Sequence, residues 1–394
     1  MTSPAPAERA PLAVPAPLAV YVHWPYCARI CPYCDFNVVR DRGQAEQAAL
    51  AQAIIADLRG QAAMLGPRRL VSIFFGGGTP SLMDPEWVGA IIAEARALWP
   101  IRGPVEISLE ANPTDAEADR FAGFACAGVN RLSLGVQSLD DAALRFLGRN
   151  HDAAEARRAI TLAGAVFPRL SIDLIYARPG QTPADWAVEL GQAVGLGAEH
   201  VSPYQLTIER GTAFDRAVGR KLFSPPDPDT AASLYETTEA VLAAAGFDAY
   251  EVSNHARGPA ARSRHNLAYW RGEDYLGVGP GAHGRLSLDG GRAGTEAEPK
   301  VAAYIARVRD TGSGVAGLEI LGARDVAIER LLLGLRIDEG VGWDEVAVLE
   351  LGPAAPGVTH LAAEGLVETD KGRLIATRKG RAVLDSVVSA LVPD

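Results

Sequence analysis

Cys27, Cys31 and Cys34 lie in one short stretch, Tyr21-Val-His-Trp-Pro-Tyr-Cys-Ala-Arg-Ile-Cys-Pro-Tyr-Cys-Asp-Phe36. Three thiolates on one loop can hold three corners of a cubic iron–sulfur cluster, because soft sulfur ligands suit iron–sulfur and zinc sites. A cube held entirely by protein needs four ligands. Three leave one iron open, and an open metal position is where chemistry occurs. Two other readings compete. A disulfide framework is disfavoured, since four cysteines serve 394 residues and no secretion signal is visible. A structural zinc site wants four protein ligands, for which Cys126 and His23 are the candidates.

The C-x3-C-x2-C spacing resembles the signature of the radical S-adenosylmethionine (SAM) enzymes. The resemblance implies a [4Fe–4S] cluster on Cys27, Cys31 and Cys34, with SAM chelated at the open iron and cleaved to a 5′-deoxyadenosyl radical. The cofactor carries the hard chemistry and the protein aims it.

Such a loop must be positioned by a scaffold. Strand patterns at Leu18–His23, Leu70–Phe75, Val105–Leu109, Arg131–Gly135, Leu170–Ile175 and His200–Leu206 alternate with helical periodicities. Parallel neighbours need helical crossovers, so six βα repeats predict an α/β fold, a partial (β/α)6 barrel. No G-x-G-x-x-G follows the first strand, which argues against a dinucleotide fold. Asp84-Pro85 and Thr182-Pro183 are helix starts, with a cap and proline at the first helical position. Thr114–Glu117 reads as a capping box.

The unusual residues stand at strand ends, where β/α barrels keep their function. Gly76-Gly77-Gly78-Thr79-Pro80 lets a ligand approach bare backbone. Glu110, in Glu-Ala-Asn-Pro, can accept hydrogen bonds from ribose hydroxyls. Gln137 and Asp173 end the next strands. Arg149 can pair with a carboxylate through its planar fork. Gly277–Gly284 reads as a tight backbone wall near this site, and Cys126 as a small buried hydrophobe. His151, His200, His255 and His360 share no metal-ligand spacing and read as structural.

The domain plan is a disordered Pro/Ala-rich tail over 1–16, a barrel with an additional segment over 17–300, and a C-terminal unit over 310–394. Gly211–Asp229 and Asn254–Arg264 read as loops. Ala323–Leu335 and Val358–Gly365 read as helices, Leu366–Ala376 as a hairpin turning at Asp370–Gly372, and a last helix starts near Lys379. That C-terminal order predicts a mainly helical, winged-helix-like domain. The chain carries 48% hydrophobic and 22% charged residues, and a net charge of −10. An acidic balance disfavours nucleic acid as a partner. No run of 18 apolar residues is present, so no spanning helix is expected. Free thiols and an oxygen-sensitive cluster point to a reducing cytoplasm.

The order Tyr-x-His-x-Pro-Tyr-Cys-x3-Cys-Pro-Tyr-Cys-Asp-Phe, Gly-Gly-Gly-Thr-Pro-Ser, Glu-Ala-Asn-Pro, Ser-Leu-Gly-Val-Gln-Ser and Ile-Asp-Leu-Ile-Tyr-Ala-Arg-Pro-Gly-Gln-Thr resembles the oxygen-independent coproporphyrinogen III oxidase-like family over about residues 18–390. The resemblance implies that Tyr21, Gly77, Gly78, Thr79, Glu110, Gln137, Arg149 and Asp173 contact SAM. The oxidases of this family carry a fourth cysteine two residues after the third, where this chain has Phe36. They also have a longer region ahead of the loop, whereas here the first cysteine is residue 27.

Cys-Pro-Tyr-Cys-Asp-Phe looks instead like the HemW-type branch, whose members act as haem chaperones and deliver haem to apo-haemoproteins, including membrane respiratory enzymes. His265-Asn-Leu-Ala-Tyr269-Trp270 resembles the proposed haem motif of that branch, which implies His265 as haem ligand. The alternatives are the oxidase itself and a radical SAM nucleic-acid-modifying enzyme. A homodimer is left open.

Overall fold

The computed structural model describes residues 15–101, 103–115 and 118–392. Residues 1–14 of the predicted tail and Glu117 of the predicted capping box lie outside the described residues.

All six expected strands form. They are β1 (Pro17–Trp24), β2 (Arg69–Gly77), β3 (Glu106–Ala111), β4 (Arg131–Gln137), β5 (Leu170–Tyr176) and β6 (His200–Gln205). Each pairs in parallel with the next in chain order. The crossover helices are α1 (Gln44–Ala62), α2 (Pro85–Leu98), α3 (Ala118–Ala127), α4 (Ala153–Val166) and α5 (Pro183–Val194). The predicted caps are made: Asp84 accepts from the Glu86 amide at 2.9 Å, and Thr182 from Asp185 at 3.2 Å.

Strands buried on both faces need apolar residues at nearly every position, and Leu18, Val20, Ile73, Phe75, Ile107, Leu109, Leu132, Leu134, Ile172 and Leu174 supply them under the helices. The inner face is different. Tyr21, Phe74, Glu110, Ser133, Asp173 and Ser202, from six successive strands, line one cavity. The sheet is therefore curled into a partial barrel with a polar lumen.

The sheet continues on both sides. Beyond β6 come the antiparallel β8 (Asn254–Ala256) and β7 (Asp248–Glu251). Beyond β1 come a parallel strand, β9 (Asp274–Val278), then antiparallel β10 (His283–Leu288), β11 (Gly291–Ala297) and β12 (Val315–Ile320). The strand β12 carries the large sheet past residue 300, so the C-terminal unit starts nearer 323 than 310. Two expected loops also hold structure. The segment 211–229 contains helix α6 (Ala213–Gly219), capped by Thr212, and 254–264 contains β8. Both elements are short, which weakens their periodicity.

Helix α7 (Arg264–Trp270) follows, and then the C-terminal unit with α8 (Ala323–Gly334), α9 (Pro356–Ala363), a hairpin of β13 (Val367–Asp370) and β14 (Arg373–Ala376), and α10 (Leu384–Leu391). The hairpin turns at Lys371 and Gly372, both at positive φ (46° and 80°), as a two-residue turn demands. This unit has its own core, including Leu331, Val346, Val358, Leu361, Leu374 and Val387. It is tied to the barrel by ion pairs, among them Arg336 Nε to the fully buried Glu251 at 2.9 Å and Arg262 to Asp338 at 2.7 Å. No helix among the described residues is long and apolar enough to cross a membrane.

Candidate functional site

The cysteine loop leaves β1 at the carboxyl end of the barrel and is held from three sides. The Gly78 amide donates to Trp24 O at 2.7 Å, and the Thr79 amide to Tyr26 O at 2.8 Å. From α6, the Phe214 amide donates to Pro32 O at 2.9 Å, and its ring packs beside Tyr33. Gly148, at φ 69°, passes so close that a Cβ would stand 2.6 Å from Pro32 Cδ.

Gly78 thus does more than bare its backbone to a ligand. A Cβ there would lie 2.6 Å from Tyr26 O and 2.8 Å from Trp24 O. Gly78→Ala is expected to destabilise the protein by about 1–3 kcal/mol, the ordinary cost of overpacking. It is also expected to lower iron incorporation. Denaturant melts with iron analysis check both, and an unchanged melt with full iron loading would contradict the contact.

The three cysteines line a cavity of about 410 Å³ together with Gly77, Gly78, Thr79, Glu110, Gln137, Arg149 and Asp173. Every residue expected at the site converges there except Tyr21 and His265. Sequence reasoning missed Asn112, Ser133 and Tyr204, which also line it. The strand-end rule that found Glu110 was sufficient to find Asn112 and Tyr204; Asp173, expected to end its strand, is instead the fourth of seven residues in β5. Ser133 carries no such signal.

The donor set fits a cluster better than a zinc ion. His23 is engaged at both nitrogens, by Asn37 O at 2.8 Å and Tyr21 Oη at 3.1 Å. Cys126 is exposed on α3, not buried as expected. Neither completes a four-ligand zinc site, and among the described residues no three His, Cys, Asp or Glu side chains converge on a single-ion position. Burial pushes the Cys27 thiol up to about 11. A cationic centre beside it reverses that preference, since metal-bound thiols are deprotonated.

Glu110 and Asp173 face each other across the cavity wall with neutral donors. The Gly77 amide reaches Glu110 Oε2 at 3.1 Å, and Ser133 Oγ reaches Asp173 at 3.0 and 3.2 Å. Burial, and then the neighbouring Asp173, push Glu110 up to about 8; burial pushes Asp173 up to about 6. Gln137 sits at a β-bulge with φ 66°, a left-handed conformation that costs a non-glycine residue about 1–3 kcal/mol. The next residue is bolted down: Ser138 Oγ donates to Glu189 Oε1 at 2.5 Å and accepts from Arg178 Nη1 at 2.6 Å, inside a buried Arg178–Glu189 pair. The Arg-Pro-Gly-Gln segment therefore supports the site from behind.

Tyr21 and His265 belong to a second cavity of about 220 Å³, deeper in the lumen, with Glu110, Ser133, Asp173 and Tyr204 forming the partition. Tyr21 is thus set back from the cysteines. His265 Nδ1 meets Ser72 Oγ at 3.0 Å, its ring stacks on Phe74 with centroids 4.9 Å apart, and Tyr269 closes one edge. Its Nε2 has no hydrogen-bond partner. Burial pushes the imidazole down to about 3, so it is neutral. Trp270 lies elsewhere, under the Arg336 guanidinium at 4.6 Å. The motif therefore does not form one exposed haem platform. The inner cavity is also below the roughly 300–1,000 Å³ of ordinary ligand pockets. Gly277–Gly284 forms the tight backbone wall read from its sequence. A Cβ on Gly279 would strike His23 O at 2.2 Å, and one on Gly281 would strike Asn37 Nδ2 at 2.5 Å. This wall backs the cysteine loop and does not line the cavity.

A parallel partial barrel with three cysteines after its first strand and a glycine turn after its second defines a radical-SAM-class protein. The model of the Radical SAM superfamily matches residues 21–190, and that of the HemN C-terminal domain matches 321–383. The mouse mitochondrial protein "Radical S-adenosyl methionine domain-containing protein 1" is 40% identical over 388 residues, covering 95% of this chain and 87% of its own. The Mycobacterium tuberculosis (strain H37Rv) protein "Heme chaperone HemW" is 37% identical over 379 residues, 95% of each chain. The Escherichia coli (strain K12) protein of that name is 40% identical over 277 residues, 70% of this chain and 72% of its own. Coproporphyrinogen III oxidase (HemN) from Escherichia coli shares the fold, with TM-score 0.78 and 22% identity over 96% of this chain and 90% of that one. The chain belongs to the HemW-type family of radical SAM proteins.

Proposed function

We propose that the chain is a haem chaperone. It carries a [4Fe–4S] cluster on Cys27, Cys31 and Cys34, and it binds SAM in the 410 Å³ cavity with Gly77, Thr79, Glu110, Gln137 and Asp173. It takes up haem and passes it to an apo-haemoprotein, a membrane respiratory enzyme among the candidates, in the cytoplasm. When bound, the cluster supplies an open iron and the electron that cleaves SAM. The observation that carries the reading is the likeness along 95% of both chains to a protein named a haem chaperone. Phe36 supports it. This residue stands where the oxidases keep a fourth cysteine, and it is 63% exposed at the cavity mouth.

Ligation of haem iron through the unpartnered Nε2 of His265 needs more room than the inner cavity of about 220 Å³ holds. Haem uptake through that imidazole is therefore coupled to an opening of the barrel floor. The test is a haem titration of anaerobically reconstituted protein. Wild type is expected to give a sharp Soret band with about one haem per chain, and His265→Ala to weaken haem binding at least tenfold with its iron–sulfur absorbance intact. Binding no better than an unrelated protein would end the reading. The fold likeness to an oxidase favours one alternative. Robust conversion of coproporphyrinogen III to protoporphyrinogen by the same sample would replace the chaperone reading with it.

A further inference from the structure

The Arg149 guanidinium has already been spent on the protein. Nη1 lies 3.2 Å from Cys31 Sγ, and Nη2 donates to Gly135 O at 3.1 Å and to Asn112 Oδ1. Only Nε lacks a partner. Asn112 is fixed in turn by Thr79 Oγ1, which accepts from its Nδ2 at 3.0 Å. The fork is therefore not free to clamp a carboxylate with two parallel bonds, which is the use that sequence suggests for it. Instead, a buried cation is aimed at one of the three cysteine sulfurs.

We propose that Arg149 is a positioning residue that sets the reduction potential of the cluster through a charge-assisted hydrogen bond to Cys31 Sγ. The inference rests on the cluster assignment above. Potentials of iron–sulfur centres respond to hydrogen bonds at their sulfurs and to local charge. Reduction adds one negative charge to the cluster. A fixed cation at 3.2 Å stabilises the reduced form and raises the potential. Asn112 contributes indirectly, by holding the guanidinium at that sulfur.

The experiment is an anaerobic redox titration of reconstituted full-length protein without SAM, followed by electron paramagnetic resonance, with iron and sulfide content measured on each sample. Arg149→Gln is expected to move the midpoint to a more negative potential at unchanged iron and sulfide content. Arg149→Lys is expected to fall between Gln and wild type. Asn112→Ala keeps the arginine and is expected to shift the midpoint in the same direction by a smaller amount. It also keeps the test open if Arg149→Gln fails to fold.

An unchanged midpoint in Arg149→Gln, or in Asn112→Ala if Arg149→Gln fails to fold, would overturn the inference, and loss of SAM binding with no change in midpoint would return Arg149 to the carboxylate. Absence of any [4Fe–4S] signal in the wild type would instead sink the cluster assignment itself, so the two failures are distinguishable.

Discussion

Cys27→Ala protein, reconstituted without air, is expected to hold iron and acid-labile sulfide at background levels and to lose the broad iron–sulfur absorbance entirely. Three ligands are already one short of a cube, and losing another leaves two protein sulfurs to hold four irons. The fold is expected to survive. Cys27 is buried at 7% exposure, and a buried free cysteine packs as a small hydrophobe. Removing one sulfur atom costs the apo-protein about 1 kcal/mol, comparable to the smallest core truncations. The apo-protein melt should therefore move by only a few degrees while cluster loading disappears. Cys126→Ala is the matched control. That thiol is exposed on α3 and lines neither cavity, so full iron content is expected. Stoichiometric zinc and no iron in wild type prepared this way would mean that the trio holds a different metal, despite His23 and Cys126 being unsuited to complete its set.

The barrel was legible because its signals are local. Each of the six apolar runs became a strand; the ends of the second to sixth line the cavity, and the first leads into the cysteine loop. Even the hairpin turn at Lys371–Gly372 could be read from residue type. What escaped was whatever depends on tertiary contact. Helix α6 is seven residues long and forms because Phe214 packs on Tyr33 and Phe146 beneath the cysteine loop, a partnership no periodicity announces. The strand β12 has mostly exposed residues and is defined by its ladder to β11. His265 illustrates the limit best. Its motif places an imidazole beside aromatic rings, and the structure does so, but with Phe74 and Tyr269 inside the lumen and Trp270 on the far side of the helix. Spacing alone does not tell a residue that faces a ligand from one that faces a neighbour.

Stability of the apo-protein is expected to depend on pH through Glu110, and Glu110→Gln to remove that dependence. The carboxyl stands at about 8 in the folded chain against an ordinary 4.5, because it is buried and faces Asp173. A raised folded value means that the folded state binds the proton more tightly. The stabilising contribution is complete below pH 4.5 and is lost as pH rises through 8. At about 1.4 kcal/mol per unit, the difference in stability between wild type and Glu110→Gln is expected to change by about 4 kcal/mol between pH 4.5 and pH 8, with the wild type losing ground. Asp173 acts in the same sense over a lower window, from 3.8 to about 6. Denaturant melts of the two proteins across this range measure the difference directly. Parallel curves would mean that Glu110 is solvated and titrates normally.

The same two carboxyls bear on ligand choice. A sulfonium cation set against the partition favours their ionised forms, so SAM binding at pH 7 is expected to release protons and to tighten as pH rises from 6 to 8. Calorimetry in buffers of different ionisation enthalpy counts those protons. The uncharged thioether S-adenosylhomocysteine should release fewer and bind more weakly, and equal proton release by both ligands would show that the carboxyl pair does not sense the sulfonium charge.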